Sequence, residues 1–235
     1  MRNKKKKIWN KENDRVNMAF WNPWGMSNER FNYCQAINYD VLGLGELHNV
    51  QNKKMWKSKR WITSQDAEID HQGRSADPAA GVDILLAPRF TDRVLAQVSE
   101  GTRIVWVRIS GPVCPLFIIC AYVPHKYKTT FPTAQDTIAK LTALLRECEQ
   151  IKKTDCVVIM GDLNCELQRN VQGCTGRWFM NQRPDDGHSE EILELMRAND
   201  LFAIDSLFKP KRTRMFSCQQ GTRQACMQRN ISAER

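Results

Sequence analysis

Residues 156–166 read Cys-Val-Val-Ile-Met-Gly-Asp-Leu-Asn-Cys-Glu, a short apolar run that stops at a Gly-Asp-Leu-Asn sequence. The β-branched run 157–160 predicts a buried core strand. Gly161 allows the backbone to turn, and a spacing of two residues directs Asp162 and Asn164 the same way. A carboxylate and an amide at a strand end predict a reaction site, where one orients a water or metal and the other donates to a phosphoryl oxygen. The alternative is a turn in which both bond to their own backbone.

The length of 235 residues suits one large domain. No stretch approaches the roughly 18 to 20 consecutive apolar residues of a membrane span, and the charged N-terminus lacks the apolar core of a signal peptide. Nine cysteines occur without a Cys-x-x-Cys pair, which favours free, packed thiols in a reducing compartment over disulfides or zinc. We therefore expect an intracellular monomer with no membrane or disulfide partner.

The net charge of +9 is concentrated at the two ends of the chain. Residues 1–15 contribute +5, and residues 209–235 contribute +6, which leaves −2 for the middle. A cluster of metal-binding carboxylates would give such a middle, while basic ends can hold a polyanion. The run Lys4-Lys5-Lys6-Lys7 predicts either a solvated tail or an arm for nuclear targeting or nucleic-acid binding, so the nucleus is one expected location.

Three more predicted strands end at a hydrogen-bonding side chain. The strands and their terminal residues are 15–22 with Asn22, 40–44 with Glu46, and 116–123 with Tyr122. The first is forced to stop by Pro23, and the last is a continuous apolar run that suits the centre of a sheet. Taken singly, Glu46 has the alternative of an exposed loop acid, and Tyr122 that of a buried structural residue.

Capping residues and periodicity predict the other elements. Helices are expected over 28–37 after Ser27, from a capping box of Thr133 and Asp136, and over 190–199 after Ser189. Strands are expected at 81–87, 94–98, 102–109 and 201–204, with a long loop over 52–77 around one strand near Trp61. From Lys209 onward the basic chain shows no pattern for a closing core strand.

The order of these motifs resembles the endonuclease/exonuclease/phosphatase domain family, which includes AP endonucleases and the endonuclease domains of non-LTR retroelements. The matching positions are Asn22, Glu46, Tyr122-Val123-Pro124 and Gly161-Asp162-Leu163-Asn164. The resemblance covers residues 16–217, and residues 176–208 are more similar to the retroelement type than to lipid phosphatases. It divides the chain into a basic disordered tail (1–15), a domain (16–217) and a basic irregular tail (218–235).

The resemblance implies a four-layer α/β sandwich, in which two mainly antiparallel sheets pack face to face with helices outside. It also implies a divalent cation, Mg²⁺ or Mn²⁺, held at the sheet ends by Glu46 with assistance from Asn22. Asp162 would orient or deprotonate the attacking water. Asn164 and Tyr122 would donate to the phosphoryl oxygens as negative charge builds.

The sequence departs from the family at two places. His125 stands where the AP endonuclease branch often has Asn, and it is the expected substrate contact. The family's penultimate Asp and terminal Ser-Asp-His motif do not occur before Arg235, and no histidine of the chain sits in such a motif. We therefore expect a chain truncated at its C-terminus, a sandwich with incomplete C-terminal strands and an exposed strand edge, and weak catalysis.

The predicted function is a metal-dependent phosphodiesterase, an endonuclease acting on DNA and derived from a retroelement-like or AP endonuclease-like enzyme. Two alternatives stay open. One is a catalytically inactive, truncated nuclease-derived domain that binds polyanions or has no activity. The other is a phosphoesterase of the same family acting on a phosphoinositide. Because the acidic middle does not suit a broad basic groove, DNA as the partner follows from the resemblance.

Overall fold

The structure is a computed structural model that describes residues 15–48, 61–64, 81–128, 132–167, 170–178 and 188–209, together with the backbone of 229–231. The strands are β1 Met18–Trp21, β2 Val41–Leu44, β3 Trp61–Thr63, β4 Asp83–Leu86, β5 Val94–Ser99, β6 Ile104–Ile109, β7 Leu116–Tyr122, β8 Cys156–Asp162 and β9 Arg229–Ile231. The helices are α1 Asn28–Ala36, α2 Pro88–Thr91, α3 Ala134–Glu147, α4 Ser189–Ala198 and a 3-10 helix at Ile204–Leu207. Nearly all of the predicted tail at 1–15 and most of the predicted loop at 52–77 lie outside the described residues.

The described strands form two mixed sheets that are mainly antiparallel. The first has the order β3-β4-β2-β1-β9, and the second has the order β5-β6-β7-β8. Each sheet contains one parallel pair, β1 with β2 and β7 with β8, while the other neighbours run antiparallel. Because parallel strands end at the same edge, each pair brings two strand ends together.

The side chains of the two sheets alternate between an inner and an outer face, as pleated strands require. The inner faces share one apolar core, which includes Met18, Val41, Ile84, Val107, Ile118, Cys120 and Met160. On the outer face of the first sheet, Cys34 of α1 packs near Trp21 and Leu42. On the outer face of the second sheet, α3 and α4 pack over Phe117 and Ile119. The result is helix, sheet, sheet, helix, so the predicted four-layer α/β sandwich is confirmed.

The two sheets approach each other closely at Gly43. A Cβ atom on this residue would lie 2.5 Å from Met160 Sδ and 3.2 Å from Cys120 Sγ. The Cys120 thiol also donates to the carbonyl of Leu44 at 3.5 Å, across the gap between the sheets. The missing side chain therefore lets the end of β2 lie against the second sheet, which is the sheet that carries Asp162.

Capping explains where the helices begin. Ser27 accepts a hydrogen bond from Arg30 N at the start of α1, and Thr133 forms a capping box with Asp136 at the start of α3, as predicted. The prediction for α4 was wrong by one residue, because His188 occupies the cap position and Ser189 is the first helical residue. The Ser189 hydroxyl instead donates to the carbonyl of Glu166 at 2.9 Å. No helix of the described part of the chain is long and apolar enough to cross a membrane.

Three local predictions differ from the structure. Among the described strands β8 lies at the edge of its sheet, so only Met160 of this strand is buried and the prediction of a buried core strand was wrong. Residues 201–204 do not form a strand; Ala203 makes one isolated bridge with Thr175, and a 3-10 helix follows. Strand β9 lies within the segment predicted as an irregular tail, and it pairs with β1. The expected truncation stays a prediction.

Candidate active site

The two parallel strand pairs deliver the predicted site residues to one end of the sandwich. In the first sheet Trp21 pairs with Leu44, so Asn22 and Glu46 follow neighbouring strand ends. In the second sheet Tyr122 pairs with Asp162 at the last position of β7 and β8. The face-to-face packing of the sheets then places these four strand ends next to one another.

Asn22 connects the two sheets at this end. Its Nδ2 atom donates to Glu46 Oε2 at 3.0 Å and lies 3.2 Å from Asp162 Oδ2. Its Oδ1 atom accepts a hydrogen bond from Trp24 N at 3.0 Å, which fixes the orientation of the amide. The amide nitrogen therefore faces both carboxylates and the amide oxygen faces the backbone. In this arrangement Asn22 positions the carboxylates, and its assignment as a metal ligand stays a prediction.

Backbone strain is concentrated around the same residues. Glu46 has φ = 50° and Asn164 has φ = 45°. Both angles lie in the left-handed region, which residues other than glycine seldom adopt. Glu46 is held there by the hydrogen bond from Gly25 N to its carbonyl, at 2.7 Å. Such conformations persist only where surrounding contacts fix them, and they cluster at functional sites.

The environment of Asp162 shifts its proton affinity. Burial raises the pKa of this half-buried carboxyl, and the negative charge of Glu46 acts in the same direction. Hydrogen bonds from Asn164 N and from the Asn22 amide, together with the charge of His125, oppose the rise without cancelling it. The charge of Glu46 therefore disfavours the ionised form of Asp162, and a cation between the two carboxylates would remove that cost.

Asn164 combines the two interpretations that the sequence left open. Its backbone N–H donates to Asp162 Oδ1 at 3.2 Å, as in the predicted turn. Its side-chain Nδ2 donates to the carbonyl of Val123 at 2.8 Å, which ties the exit of β8 to the exit of β7. The turn thus orients the site residues, and the structural interpretation and the functional one are compatible.

Tyr122 is fully buried, and its ring packs in the core between the sheets. Lys128 Nζ lies 3.3 Å from the Tyr122 hydroxyl, and the buried Arg103 guanidinium lies 5.3 Å from the ring centroid. The predicted phosphoryl donor therefore sits among positive charge. Sequence reasoning missed Lys128, although its position six residues after Tyr122 in a Lys-Tyr-Lys segment was an available signal.

The histidines separate into different environments. His125, the predicted substrate contact, is exposed, and its charge reaches Asp162. His188 is fully buried, and its Nε2 lies 2.7 Å from the carbonyl of Leu163, between the two polar residues of the Gly-Asp-Leu-Asn turn. This contact between the His188 ring and the backbone of the turn was not predicted, because a single histidine before a helix carries no sequence signal.

The donor set fits a hard divalent cation. Within the described ranges no group of three or more His, Cys, Asp or Glu side chains could hold a metal, and the acidic oxygens that this end of the sandwich offers are those of Glu46 and Asp162, both in contact with Asn22 Nδ2. Mg²⁺ is typically bound by one or two carboxylates and keeps several waters. The described residues therefore suit Mg²⁺ better than zinc, which takes three or four protein ligands drawn mostly from His and Cys.

No family model matches the sequence, and no curated protein matches it. Solved structures do resemble the fold. The endonuclease domain of TRAS1, a telomere-specific non-LTR retrotransposon, is 11% identical over 78% of this chain and 70% of its own, with a TM-score of 0.49. Sphingomyelinase C from Streptomyces griseocarneus is 14% identical over 81% and 72%, with a TM-score of 0.46.

A D. rerio TDP2 humanised by 14 mutations is 15% identical over 64% of this chain and 63% of its own, with a TM-score of 0.43. A D. rerio TDP2 complexed with single strand DNA product is matched over 61% of its chain, so this chain spans less than two thirds of both. These TM-scores all lie below 0.5 and the identities below 25%, so the structures do not establish a family, and the resemblance to the endonuclease/exonuclease/phosphatase family stays a prediction. At these identities the likeness describes the fold, and function has to be argued from the site.

Proposed function

We propose that this chain is a metal-dependent phosphodiesterase of the endonuclease/exonuclease/phosphatase family and that it cleaves nucleic acid. The observation that carries the proposal is the Asn22 amide, which contacts Glu46 and Asp162 and so holds two carboxylates from different sheets at one point. Packing alone gives no reason for this placement, since like charges in half-buried surroundings repel. A bound cation that also binds a phosphate would explain why the two carboxylates lie together.

Glu46 and Asp162 have different roles in the proposal. Glu46, held in a strained backbone conformation at the end of β2, is the main protein ligand of the cation. When bound, the cation neutralises charge on the phosphate. Asp162 orients the attacking water and accepts its proton. Its raised pKa supports this role, because a base transfers protons most efficiently when its pKa lies nearer the working pH.

Asn164 donates to the phosphoryl oxygens as negative charge develops, and the Tyr122 hydroxyl, whose ring is buried in the core, is a second donor proposed from the resemblance. One N–H of the Asn164 amide donates to Val123 O, which orients the group so that its second N–H can donate to the phosphate. Lys128, next to the Tyr122 hydroxyl, adds positive charge beside the second donor. Preorganised donors of this kind contribute about 10²- to 10³-fold each in enzymes that use them.

DNA is the proposed substrate. The net charge of +9 and its concentration at both ends of the chain favour a polyanion over a small phosphoester. A phosphoinositide carries fewer phosphates and would use these basic segments less. The residues between the two ends carry −2, so the preference rests on the charge of the ends together with the resemblance, and the experiment below compares hydrolysis of the two substrate classes directly.

The experiment is a plasmid-nicking assay on chain purified free of contaminating nuclease, with Mg²⁺ and with EDTA. We expect nicking in Mg²⁺, none in EDTA, and loss of nicking in Glu46→Gln and in Asp162→Asn. Glu190→Gln is the matched control, because Glu190 is exposed on α4 and pairs with Arg197, which is not one of the site residues. A soluble phosphoinositide is assayed in parallel.

Three outcomes would contradict the proposal. Nicking that survives in both site variants would place the chemistry elsewhere. Wild-type chain that binds DNA without cleaving it would favour the inactive, nuclease-derived alternative. Phosphoinositide hydrolysis that exceeds nicking, and that Glu46→Gln abolishes, would retain the site and change the substrate.

A further inference from the structure

A second surface of the molecule combines an indole ring, two cations and exposed apolar side chains. The Arg177 guanidinium lies 4.7 Å from the ring centroid of Trp178, and Lys209 Nζ lies 5.5 Å from the same centroid. Leu207 and Phe208 precede Lys209 and are 52% and 57% exposed. We call these five residues the Trp178 platform. They do not belong to the candidate active site.

The backbone under the platform is fixed by hydrogen bonds between two segments of the chain. Trp178 N donates to Ser206 O at 3.0 Å, and Gly176 N donates to Ser206 Oγ at 2.6 Å. Ala203 N donates to Cys174 O at 2.8 Å, beside the bridge from Ala203 to Thr175. The surface is therefore held by the fold, and its side chains are presented from a rigid base.

Gly176 makes this arrangement sterically feasible. A Cβ atom there would lie 2.6 Å from Ser206 O and 3.2 Å from Leu207 Cδ2. Only a residue without a side chain lets the 3-10 helix lie against the strand bridge, which brings Leu207 and Lys209 beside Trp178. The position of the two cations over the ring is therefore a consequence of the backbone path.

The two segments that carry the platform, residues 170–178 and 201–209, together have more basic than acidic side chains. Residues 170–178 contain no Asp or Glu, and residues 201–209 contain only Asp205, which is half-buried. From Lys209 to the end, the chain carries seven basic residues and one acidic residue. A ligand for this surface must therefore offer negative charge together with a flat apolar face.

We infer that the Trp178 platform binds unpaired nucleic acid. Nucleobases stack on the Phe208 ring and on the stacked pair of Trp178 ring and Arg177 guanidinium, and phosphates lie near Lys209. Bases are flat and apolar, and their backbone supplies the negative charge that the surface lacks. Sites for single strands combine the same two features, a basic track and aromatic side chains. The inference rests on the proposed function only for the choice of nucleic acid as the polyanion.

The test measures binding in EDTA, so that cleavage plays no part. Fluorescence anisotropy compares a labelled oligodeoxythymidylate with an abasic oligonucleotide of the same length and charge, at one fixed salt concentration. Stacking predicts that wild-type chain binds the base-bearing strand about tenfold more tightly. Trp178→Ala and Phe208→Ala should remove that preference, and Trp178→Phe should restore part of it.

Lys209→Ala should weaken both oligonucleotides equally, because it removes charge and leaves the aromatic rings. Lys153→Ala is the matched charge control, since Lys153 is exposed and lies just before the opposite end of β8 from Asp162. Phe208 is more than half exposed, so its replacement should leave the thermal melting temperature unchanged even if Trp178→Ala unfolds the chain.

Equal binding of the base-bearing and abasic strands by wild-type chain would overturn the inference, as would a preference unchanged in Phe208→Ala. Binding to anionic lipid vesicles that Phe208→Ala abolishes, with oligonucleotide binding intact, would overturn it in favour of a membrane surface. If no cleavage is found but the preference for the base-bearing strand is, the binding inference is supported and the proposed catalytic function is not.

Discussion

Asn22 and Asp162 are 140 positions apart in the chain, yet Asn22 Nδ2 lies 3.2 Å from Asp162 Oδ2. The first follows β1 and the second ends β8, and these strands belong to different sheets. The contact therefore exists only when the two sheets are packed. Because the same nitrogen also binds Glu46, the candidate site and the core between the sheets should form and break together.

The acid limb of the pH profile should depend on Asn22. Burial raises the pKa of Asp162, and the hydrogen bond from Asn22 opposes this rise. A base must be ionised, so kcat/KM should fall as the pH drops through the raised pKa. Asn22→Ala removes the opposing hydrogen bond and should move the acid limb to higher pH. Asn28→Ala, at the exposed first residue of α1, is the control, and an acid limb unmoved by Asn22→Ala would argue against Asp162 as the base.

Divalent cations should stabilise the fold through Glu46. A ligand that binds only the folded chain adds about 2.7 kcal/mol to the free energy of unfolding at a hundredfold excess over its Kd. We expect Mg²⁺ to raise the Tm of the wild-type chain and of Glu190→Gln. Glu46→Gln should lose this response. If its Tm rises as much as that of wild type, Glu46 does not bind the cation.

Gly161→Ala should disrupt the pairing of β7 and β8. A Cβ atom at this position would lie 2.0 Å from Ala121 O, a contact that neither backbone can relieve without moving. Forced overpacking of this kind costs about 3 kcal/mol. Urea unfolding measures the loss. Gly173→Ala is the comparison, because Gly173 has φ = 74° but no neighbour within 4 Å, and it should cost only about 1 kcal/mol of backbone strain.

A loss at Gly173 as large as the loss at Gly161 would show that backbone conformation, and not the clash with Ala121, sets the requirement for glycine. A small loss at both positions would contradict the close approach of β7 and β8 at the site.

The basic N-terminal segment should contribute to DNA affinity without affecting the fold. If the run from Lys4 to Lys7 contacts phosphates, deleting residues 2–11 should weaken binding and lower the slope of log affinity against log salt by about 0.9 for each lost contact. The Tm should stay the same. Salt titrations of the full and shortened chains measure the slopes, and equal slopes would support a solvated tail.

The strand ends could be predicted from the sequence because each apolar run stops at a polar residue. Asn22, Glu46, Tyr122 and Asp162 all follow such runs, and residues that end parallel strands share a sheet edge. Periodicity carries no information about which nitrogen or oxygen of an amide faces a partner. The orientation of the Asn22 amide could therefore not be predicted, because it is set by the hydrogen bond from Trp24 N to Asn22 Oδ1.

Other features depend on tertiary contacts that leave no local pattern. The apolar run of β8 predicts a buried strand equally well at a sheet centre or edge, and its edge position follows from pairing with β7 alone among the described strands. His188 and Lys128 were missed because each contacts the site through one long side chain from a loop or cap. Strand β9 is three residues long, below the length at which alternation can be recognised.

The central claim is that Glu46 and Asp162 act as one phosphodiester-cleaving unit joined by Asn22. The measurement that tests it most directly is Mg²⁺-dependent cleavage by Glu46→Gln, by Asp162→Asn and by the double variant. Groups that act as a unit are strongly non-additive. We predict that each single variant loses at least about 10²-fold in kcat and that the double variant is no slower than the worse single. Losses that multiply in the double variant would contradict the claim, because they would show two independent sites of action.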